Sequence, residues 1–288
     1  MIFETHAHYD DKKFDPDRKE LLLSMQENGI DKIVNIGCDR ETCEATIDLM
    51  NTYDFVYGAM GVHPSDIRTM DEELFSWIGQ QLSHPKVVAV GEIGLDYYWD
   101  KEEEIRKQQR VWFIRQLHLA AEADLPVIIH SRDAAEDTLN IMKREHFINE
   151  EYARQGRGGV IHCFSYSKEI AREYVKMGYY IGVGGVSTFK NAKKLKEVIT
   201  ETPLEQILLE TDCPYMAPEP HRGKRNSSLY LPYVVEQIAR LKDVSPKEVE
   251  NVTYRNAMRF FRLEDEKEKE YYGNIRKPSE HDSGSAKI

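Results

Sequence analysis

VVAVGE, residues Val87–Glu92, is an apolar run that ends abruptly in a carboxylate. Two later stretches have the same form: PVIIH at Pro126–His130 and QILLE at Gln206–Glu210. A half-exposed strand alternates apolar and polar residues, whereas a strand of a parallel sheet is buried on both faces and stays apolar. The three stretches therefore predict buried parallel strands, each with a polar side chain at its carboxyl end.

Similar short runs raise the number of predicted strands to eight. They are Ile2–His8, Lys32–Gly37, Phe55–Val62, Val87–Glu92, Pro126–His130, Gly159–Cys163, Tyr179–Gly182 and Gln206–Glu210. Helical patterns separate them, and the clearest is Glu102–Ala123, which has its large apolar residues on one stripe. Two more predicted helices are Asp17–Asn28, which precedes Gly29, and a helix that begins at the capping sequence Ser245-Pro-Lys-Glu248.

Strands that alternate with helices over about 260 residues favour a (β/α)₈ TIM barrel, with an open doubly wound sheet as the alternative. We predict one barrel domain over residues 1–262. Residues 263–288 are polar and poor in residues that pack, so we predict a disordered tail there.

The composition places limits on function. Of the 288 residues, 41% are hydrophobic and 31% charged, as is typical of soluble globular proteins. No apolar run is long enough for a membrane span and MIFETHAHYD does not resemble a signal peptide, so we expect a cytoplasmic protein without membrane association. A net charge of −11 argues against a broad basic surface for duplex nucleic acid, although bound cations can reverse the field inside a site. The cysteines lack zinc-ribbon spacing, which predicts reduced thiols at positions 38, 43, 163 and 213.

Histidines and carboxylates follow most of the predicted strands. In a barrel these strand ends meet at the carboxyl-terminal face, where active sites lie. His6 and His8 are two residues apart on a strand and so point to the same side. A His-x-His pair is common by chance, so alone it is weak evidence for a metal site. The evidence becomes stronger because other candidate residues would lie at the same face: His63, Glu92, His130, His162 and Asp212.

The chemistry of these side chains predicts a metal site. Imidazole and carboxylate ligands suit Zn²⁺, Mn²⁺ and Fe²⁺, and they also admit Mg²⁺. Six candidate ligands are too many for one ion and fit two ions that share a bridging carboxylate. Two ions about 3.5–4 Å apart suit cleavage of phosphoesters. We therefore predict two divalent cations, with Mg²⁺, Mn²⁺ and Zn²⁺ not distinguishable.

The chain resembles the TatD family of metal-dependent hydrolases, within the amidohydrolase-like barrels. The resemblance covers about residues 1–262 and follows the family's motif order: HAH, GVHP, GEIGLDYY, IIHSRDA, HCFS, ETDCPY and PEPHRGKRN. Some related barrels have a lysine after the fourth strand that becomes a carbamylated bridge, where this chain has Glu92. The family often has a proline two residues after the last asparagine of these motifs, where this chain has Ser228.

The resemblance also implies roles for individual residues. His6 and His8 would bind a first ion, Glu92 would bridge, and His130 and His162 would bind a second ion. Asp212 would bind the first ion and hold or deprotonate the attacking water. The implied activity is deoxyribonuclease action from the 3′ end of DNA, here expected on single-stranded ends and without an obligate protein partner.

Several other residues allow either a functional or a structural interpretation. His63 either contacts the substrate as a phosphate ligand or proton donor, or braces the turn at Pro64. Arg222, Lys224 and Arg225 either clamp a phosphate or lie on a solvated loop. Asp96 is a candidate acceptor that orients a ligand histidine, and Tyr97, Tyr98 and Trp99 either stack on bases or pack the loop. Lys190–Lys196 is interpreted as the charged start of a helix. Cys163 and Cys213 are not expected to bind metal, because neighbouring residues on a strand point to opposite sides.

Three functions compete at this stage. The first is a metal-dependent DNA phosphodiesterase in which Asp212, Glu92 and His63 are catalytic and His63, Arg222 and Lys224 bind substrate. The second is an ester or amide hydrolase, for example an aminoacyl-tRNA deacylase, because the same ligands serve that chemistry. The third is a metal-bound scaffold without catalysis.

Overall fold

The protein is described by a computed structural model over residues 1–145 and 158–264. Its eight parallel strands stand side by side in chain order, from β1 to β8, and β1 meets β8. This arrangement confirms the eight predicted strands and the barrel, and it excludes the open doubly wound sheet. The strands are β1 Ile2–Ala7, β2 Ile30–Ile36, β3 Val56–Met60, β4 Val87–Asp96, β5 Val127–Arg132, β6 Gly159–Ile161, β7 Tyr180–Val183 and β8 Ile207–Leu209.

Helices connect the strands and cover the outside of the barrel. They are α1 Arg18–Leu23, α2 Arg40–Thr52, α3 Glu72–Gln81, α4 Glu103–Glu122, α5 Ala135–Glu145, α6 Lys168–Lys176, α7 Lys193–Glu201, α8 Leu231–Lys242 and α9 Pro246–Phe260. The predicted helix at Glu102–Ala123 is confirmed as α4. The predicted start at Ser245 is confirmed as well, because its side chain accepts the backbone N–H of Glu248.

The predicted helix over Asp17–Asn28 needs a correction. It is α1 followed by a short 3₁₀ helix at Gln26–Asn28, and both end before Gly29, which has the predicted left-handed conformation with φ 83°. Ser24 lies at the interruption, and its hydroxyl donates to the carbonyl of Leu21 at 2.7 Å. A serine side chain that binds a nearby backbone carbonyl competes with the regular helical hydrogen bonds.

The lower part of the barrel is filled by a compact group of apolar side chains, here called the inner cluster. Phe260 at the end of α9 and Phe261 directly after it enter the cluster from the amino-terminal end and pack against Tyr180 and Phe3. The remaining members are Val34, Ile36, Ala59, Val88, Ala89, Ile128, Val160, Leu208 and Ala257. The inner cluster therefore forms an apolar base beneath the strand ends that carry the polar residues.

Three other expectations concern the chain as a whole. All four cysteines are free thiols, as predicted, with Cys43 and Cys213 buried. Within the two described ranges, the helices are too short or too polar to cross a membrane. The predicted tail over 263–288 lies outside the described residues from position 265 onward.

Candidate metal centre

The six predicted ligands meet at the carboxyl-terminal end of the barrel. His6 and Glu92 belong to β1 and β4, and His130 belongs to β5. His162 follows β6 directly, while His8 and Asp212 lie just beyond β1 and β8. His6, Glu92 and His162 are at most 5% exposed, so the centre of this group is deeply buried.

An irregularity in β1 turns His6 toward this group. Glu4 pairs with Ile33 and Ala7 with Asn35, so β1 has one residue more than β2 over this interval. An extra residue of this kind is a β-bulge, and it reverses the alternation of side chains along a strand. Phe3 faces the inner cluster below the bulge, and His6 faces the same interior above it.

His6, His8 and Asp212 form the first group of ligand atoms. Nε2 of His8 lies 3.3 Å from Oδ1 of Asp212, and Nε2 of His6 lies 3.7 Å from the same oxygen. The two Nε2 atoms are 3.3 Å apart. Nδ1 of His8 lies 3.2 Å from the carbonyl oxygen of Ile36, which orients the ring and leaves Nε2 for the centre.

Glu92 lies between this group and a second one. Its Oε2 is 3.3 Å from Nε2 of His6, while its Oε1 is 2.8 Å from Nδ1 of His130 and 3.6 Å from Nε2 of His162. The two oxygens of one carboxylate thus face different histidines. This is the arrangement expected of a carboxylate that bridges two ions.

Carboxylates outside the centre hold the two histidines of the second group. Oδ2 of Asp96 lies 3.0 Å from Nε2 of His130, so Asp96 has the orienting position predicted for it. Oε2 of Glu210 lies 3.3 Å from Nδ1 of His162. The sequence analysis assigned no role to Glu210, although this residue ends the apolar run QILLE of the eighth strand. A Cβ atom at Gly182 would collide with Oε2 of Glu210, so a larger residue there would displace this carboxylate.

The charges in the centre support one another. Burial alone would raise the pKa of Glu92, but the imidazoles of His162 and His6 hold that pKa well below its usual range. Burial also opposes protonation of His162, yet the carboxylates of Glu210 and Glu92 raise its pKa to about 10. Burial of Asp212 is outweighed by its contacts with His8 and His162, which lower its pKa. Both carboxylates are therefore ionised at neutral pH, as metal ligands must be, whereas His162 would have to release a proton to bind a cation.

A buried carboxylate that was not predicted joins the first and last strands beneath the ligands. Glu4 is 0% exposed and accepts hydrogen bonds from N of His6 at 3.1 Å, N of Thr211 at 2.9 Å, and the hydroxyls of Thr211 and Ser228 at 2.7 and 2.9 Å. Ser228 is the residue where the family often has proline, which could not donate this bond. Glu4 therefore fixes the backbone next to His6 and Asp212 at once.

His63 has the geometry of a hydrogen-bond donor to a ligand in the centre. Its Nδ1 accepts the backbone N–H of Ser65 at 3.1 Å, so the neutral ring carries its proton on Nε2, which lies 3.9 Å from Oε1 of Glu92. Burial and the neighbouring His130 lower the pKa of His63 to about 3, which keeps the ring neutral. A protonated Nε2 cannot bind a metal, and this favours substrate contact for His63.

The centre lies at the floor of a cleft of about 1400 Å³. One side of the cleft carries four acidic residues and one lysine from the loops after β1 and β3 and from α2: Asp10, Asp11, Lys12, Glu41 and Asp66. The other side carries Trp99, Arg132, Lys193 and Lys194. Lys193 and Lys194 begin α7, which confirms the predicted helix in this basic stretch and places its start beside the cleft.

The predicted phosphate clamp is not at the cleft wall in the described part of the chain. Arg222 stacks on the ring of Phe189, and Lys224 is exposed. Arg225 forms two hydrogen bonds with the carboxylate of Asp17, at 2.7 and 2.6 Å. Substrate binding by Arg222 and Lys224 remains a prediction, while Arg225 has a partner within the protein.

The donor set fits divalent cations. Ligand atoms of His6, His8 and Asp212 lie within 4.8 Å of one another, and so do those of His6, Glu92 and His162. Nε2 of His63 lies within the same distance of Glu92 and His130, but its proton removes it from the donor set. A further group joins Cys38 to His8 and Glu92, but burial raises the pKa of the Cys38 thiol to about 12 and keeps it protonated. Nitrogen and carboxylate oxygen thus remain as the ligand types.

Comparison with known proteins agrees with this arrangement. The profile described as TatD related DNase matches residues 3–262. The "Uncharacterized metal-dependent hydrolase YabD" of Bacillus subtilis is 45% identical over 264 residues, which are 91% of this chain and 100% of YabD. The "Uncharacterized metal-dependent hydrolase YcfH" of Escherichia coli K12 is 38% identical over 217 residues, 75% of this chain and 78% of YcfH.

A solved structure extends the comparison to three dimensions. The TatD homologue YjjV of Escherichia coli K12 superposes with a TM-score of 0.83 and 32% identity, covering 91% of this chain and 98% of YjjV. The fold, the order of the motifs and the relatives agree. The chain is a member of the TatD family of metal-dependent hydrolases.

Proposed function

We propose that this protein is a two-metal phosphodiesterase that removes nucleotides from the 3′ end of single-stranded DNA. The observation that carries the proposal is the position of Glu92, whose two oxygens face His6 on one side and His130 and His162 on the other. The description of the matching family as DNases supports DNA as the substrate, and the resemblance supports the 3′ end.

Two divalent cations bound here would lower the pKa of a water molecule and offset the charge on the phosphate oxygens. The side chains of the protein would divide the remaining tasks. Asp212 is ionised and lines the cleft, so its carboxylate can accept a hydrogen bond from the attacking water and take its proton. His63 would donate its Nε2 proton in a hydrogen bond to a phosphate oxygen.

The test uses one short single-stranded oligonucleotide, labelled at its 5′ end in one sample and at its 3′ end in another, with Mg²⁺ or Mn²⁺. We expect a ladder of shortened products from the 5′-labelled strand and early release of the label from the 3′-labelled strand. Chelator should stop both. The matched variants are Glu92→Gln, which should be inactive, and Glu104→Gln on the exposed face of α4, which should behave as wild type.

The competing functions make different predictions in the same preparation. Turnover of an aminoacyl ester without cleavage of any oligonucleotide would favour the ester or amide hydrolase and refute the nuclease. Binding of metal without turnover of any ester or phosphodiester would favour the scaffold. Equal cleavage by wild type and Glu92→Gln would point to a contaminating nuclease.

A further inference from the structure

One edge of the cleft combines exposed aromatic rings with a cation that the metal centre does not use. We call Tyr98, Trp99 and Arg132 the aromatic rim. Trp99 is 65% exposed and Tyr98 44%, although both rings are large and apolar. Trp99 lines the cleft. Burial of such a ring is favourable, so its exposure beside an active site calls for a reason.

The aromatic rim is tied to the metal centre through one carboxylate. Oδ1 of Asp96 accepts the backbone N–H groups of Tyr98 and Trp99 at 2.9 and 3.0 Å. Oδ2 of the same side chain lies 3.0 Å from Nε2 of His130. The Asp96 carboxylate that orients His130 thus also fixes the backbone from which the indole of Trp99 extends. A single side chain therefore connects the aromatic rim to the metal centre.

Arg132 supplies the charge of the rim. It is two residues after His130 on β5, so both side chains leave the strand on the same side. Its guanidinium lies 4.0 Å from the ring centre of Tyr98 and 5.5 Å from that of Trp99. Within residues 1–145 and 158–264, no carboxylate forms an ion pair with Arg132, which leaves its N–H groups for a ligand.

The two sides of the cleft differ in charge, and this gives a polyanion one favourable path. Asp10, Asp11, Glu41 and Asp66 outnumber Lys12 on one side and would repel a second phosphate, while Arg132, Lys193 and Lys194 on the other side would attract it. Tyr215, the other exposed aromatic residue of the cleft, is engaged with Asp11 and Lys13 on the acidic side. Trp99 is therefore the aromatic surface that an extended nucleic acid would meet on the attractive side.

We propose that the aromatic rim binds the nucleotide next to the scissile phosphate, with its base stacked on Trp99 and its phosphate on Arg132. This inference rests on the proposed function and adds the path by which the retained strand leaves the cleft. A strand held at the rim and repelled by the acidic side can enter only by its end. The rim thus gives a physical reason for cleavage at an end rather than within the strand.

The activity test compares Trp99→Ala with Trp99→Phe on two oligothymidylates that differ at one position. One substrate is intact, and the other has an abasic residue next to the terminal nucleotide. A stacked base is worth about 1–3 kcal/mol, so Trp99→Ala should raise KM on the intact strand about 5- to 150-fold. KM on the abasic strand should be almost the same for wild type and Trp99→Ala, and Trp99→Phe should recover most of the loss.

Equal effects of Trp99→Ala on the intact and abasic strands would overturn the stacking role, and so would an unchanged KM. Since Trp99 is mostly exposed, neither variant is expected to affect folding. Arg132→Gln gives a second check, because loss of a phosphate contact should raise KM on both strands and make binding less sensitive to salt.

A binding measurement separates this inference from the proposed function. The chain has three tryptophans, of which Trp77 and Trp112 are partly buried. With chelator present to prevent cleavage, oligothymidylate should quench the fluorescence of wild type and of Trp77→Phe, and should not quench Trp99→Phe. Quenching of this kind in a protein without nuclease activity would support base stacking at the aromatic rim and refute the proposed nuclease function. Cleavage without quenching would support the nuclease function and refute the stacking.

Discussion

The two ends of the barrel have opposite compositions. At the carboxyl-terminal end the buried side chains include four ionisable groups, those of His6, Glu92, His162 and Glu210. At the amino-terminal end the space between the strands is closed by Phe3, Tyr180, Phe260 and Phe261. Buried charges cost free energy unless they are fully paired, whereas buried aromatic rings stabilise the fold.

From this difference between the two ends we infer that the catalytic groups and the main stabilising contacts lie in different parts of the barrel. The inner cluster offsets the cost of a polar centre whose groups repel one another in part, such as His6 and His162, with ring centres 3.6 Å apart. Substitutions at the two ends should therefore change different quantities. Four predictions test this separation.

The largest effect is expected at the centre. Glu92→Gln keeps the size of the side chain but removes the charge that faces both groups of ligands. We expect kcat to fall on the order of 10⁴-fold, as for other residues at the heart of a catalytic group. The melting temperature of the metal-free protein should fall as well, because the ionised carboxylate is stabilised by the imidazoles around it. The kcat is therefore measured on the folded fraction, with Glu104→Gln as the neutral reference, and a kcat that is retained in that fraction would mean that Glu92 is chiefly structural.

The opposite result is expected at the amino-terminal end. Phe260→Ala removes a fully buried ring that packs on Tyr180 and Phe261, and it should lower the free energy of unfolding by about 3–5 kcal/mol. Urea denaturation measures this change. The kcat of the folded fraction should stay close to wild type. The matched control is Leu23→Ala, since Leu23 is 59% exposed. A selective loss of kcat in Phe260→Ala would break the separation of the two ends.

The third prediction concerns pH and Glu4. Burial raises the pKa of Glu4 from 4.5 to about 7, against the effect of its hydrogen-bond donors. Between these two values the folded protein binds a proton that the unfolded chain has released, so stability contributed by this group falls as pH rises. Wild type should lose up to about 3 kcal/mol relative to Glu4→Gln across this window. Denaturation at several pH values with chelator present measures the difference, and parallel curves for the two proteins would refute it.

The smallest effect should come from the metal itself. A cation that binds only the folded state stabilises it by about 2.7 kcal/mol when its concentration is 100 times the dissociation constant. Thermal unfolding with Mn²⁺ and with chelator should show this gain in wild type and in Phe260→Ala alike. Glu92→Gln should lose most of the gain. A gain of the same size in Glu92→Gln would place the bound cation elsewhere.

Much of the barrel could be predicted because a buried parallel strand is marked within its own few residues. VVAV and PVIIH indicate their burial without reference to any neighbour, and a polar residue at the end of each run identifies the face where the runs converge. The six predicted ligands are brought together for this reason. Their binding of metal remains a prediction that thermal unfolding with Mn²⁺ and the Glu92 variant will decide.

The features that escaped prediction depend on pairs of segments. The extra residue of β1 exists only by comparison with β2. Glu4 looks like an ordinary strand residue until Thr211 and Ser228 lie beside it. In α4, Gln109 and Gln116 lie on the buried face, where they bind the backbone of Asp96 and Val62. The position of Arg222 and Lys224 relative to the cleft could likewise not be predicted from the residues of their loop alone.

The hydrogen bond between Glu4 and Thr211 joins residues 207 positions apart in the chain. A ribosome delivers His6 and His8 at the start of synthesis and Asp212 near the end of the barrel. The emerging chain therefore offers a metal ion only an isolated histidine pair for most of its translation. Coordination of a cation by all of these residues would require that the last strand has already met the first. Uptake of metal would in this sense be a late event in the life of the polypeptide, and it would report that the barrel has closed.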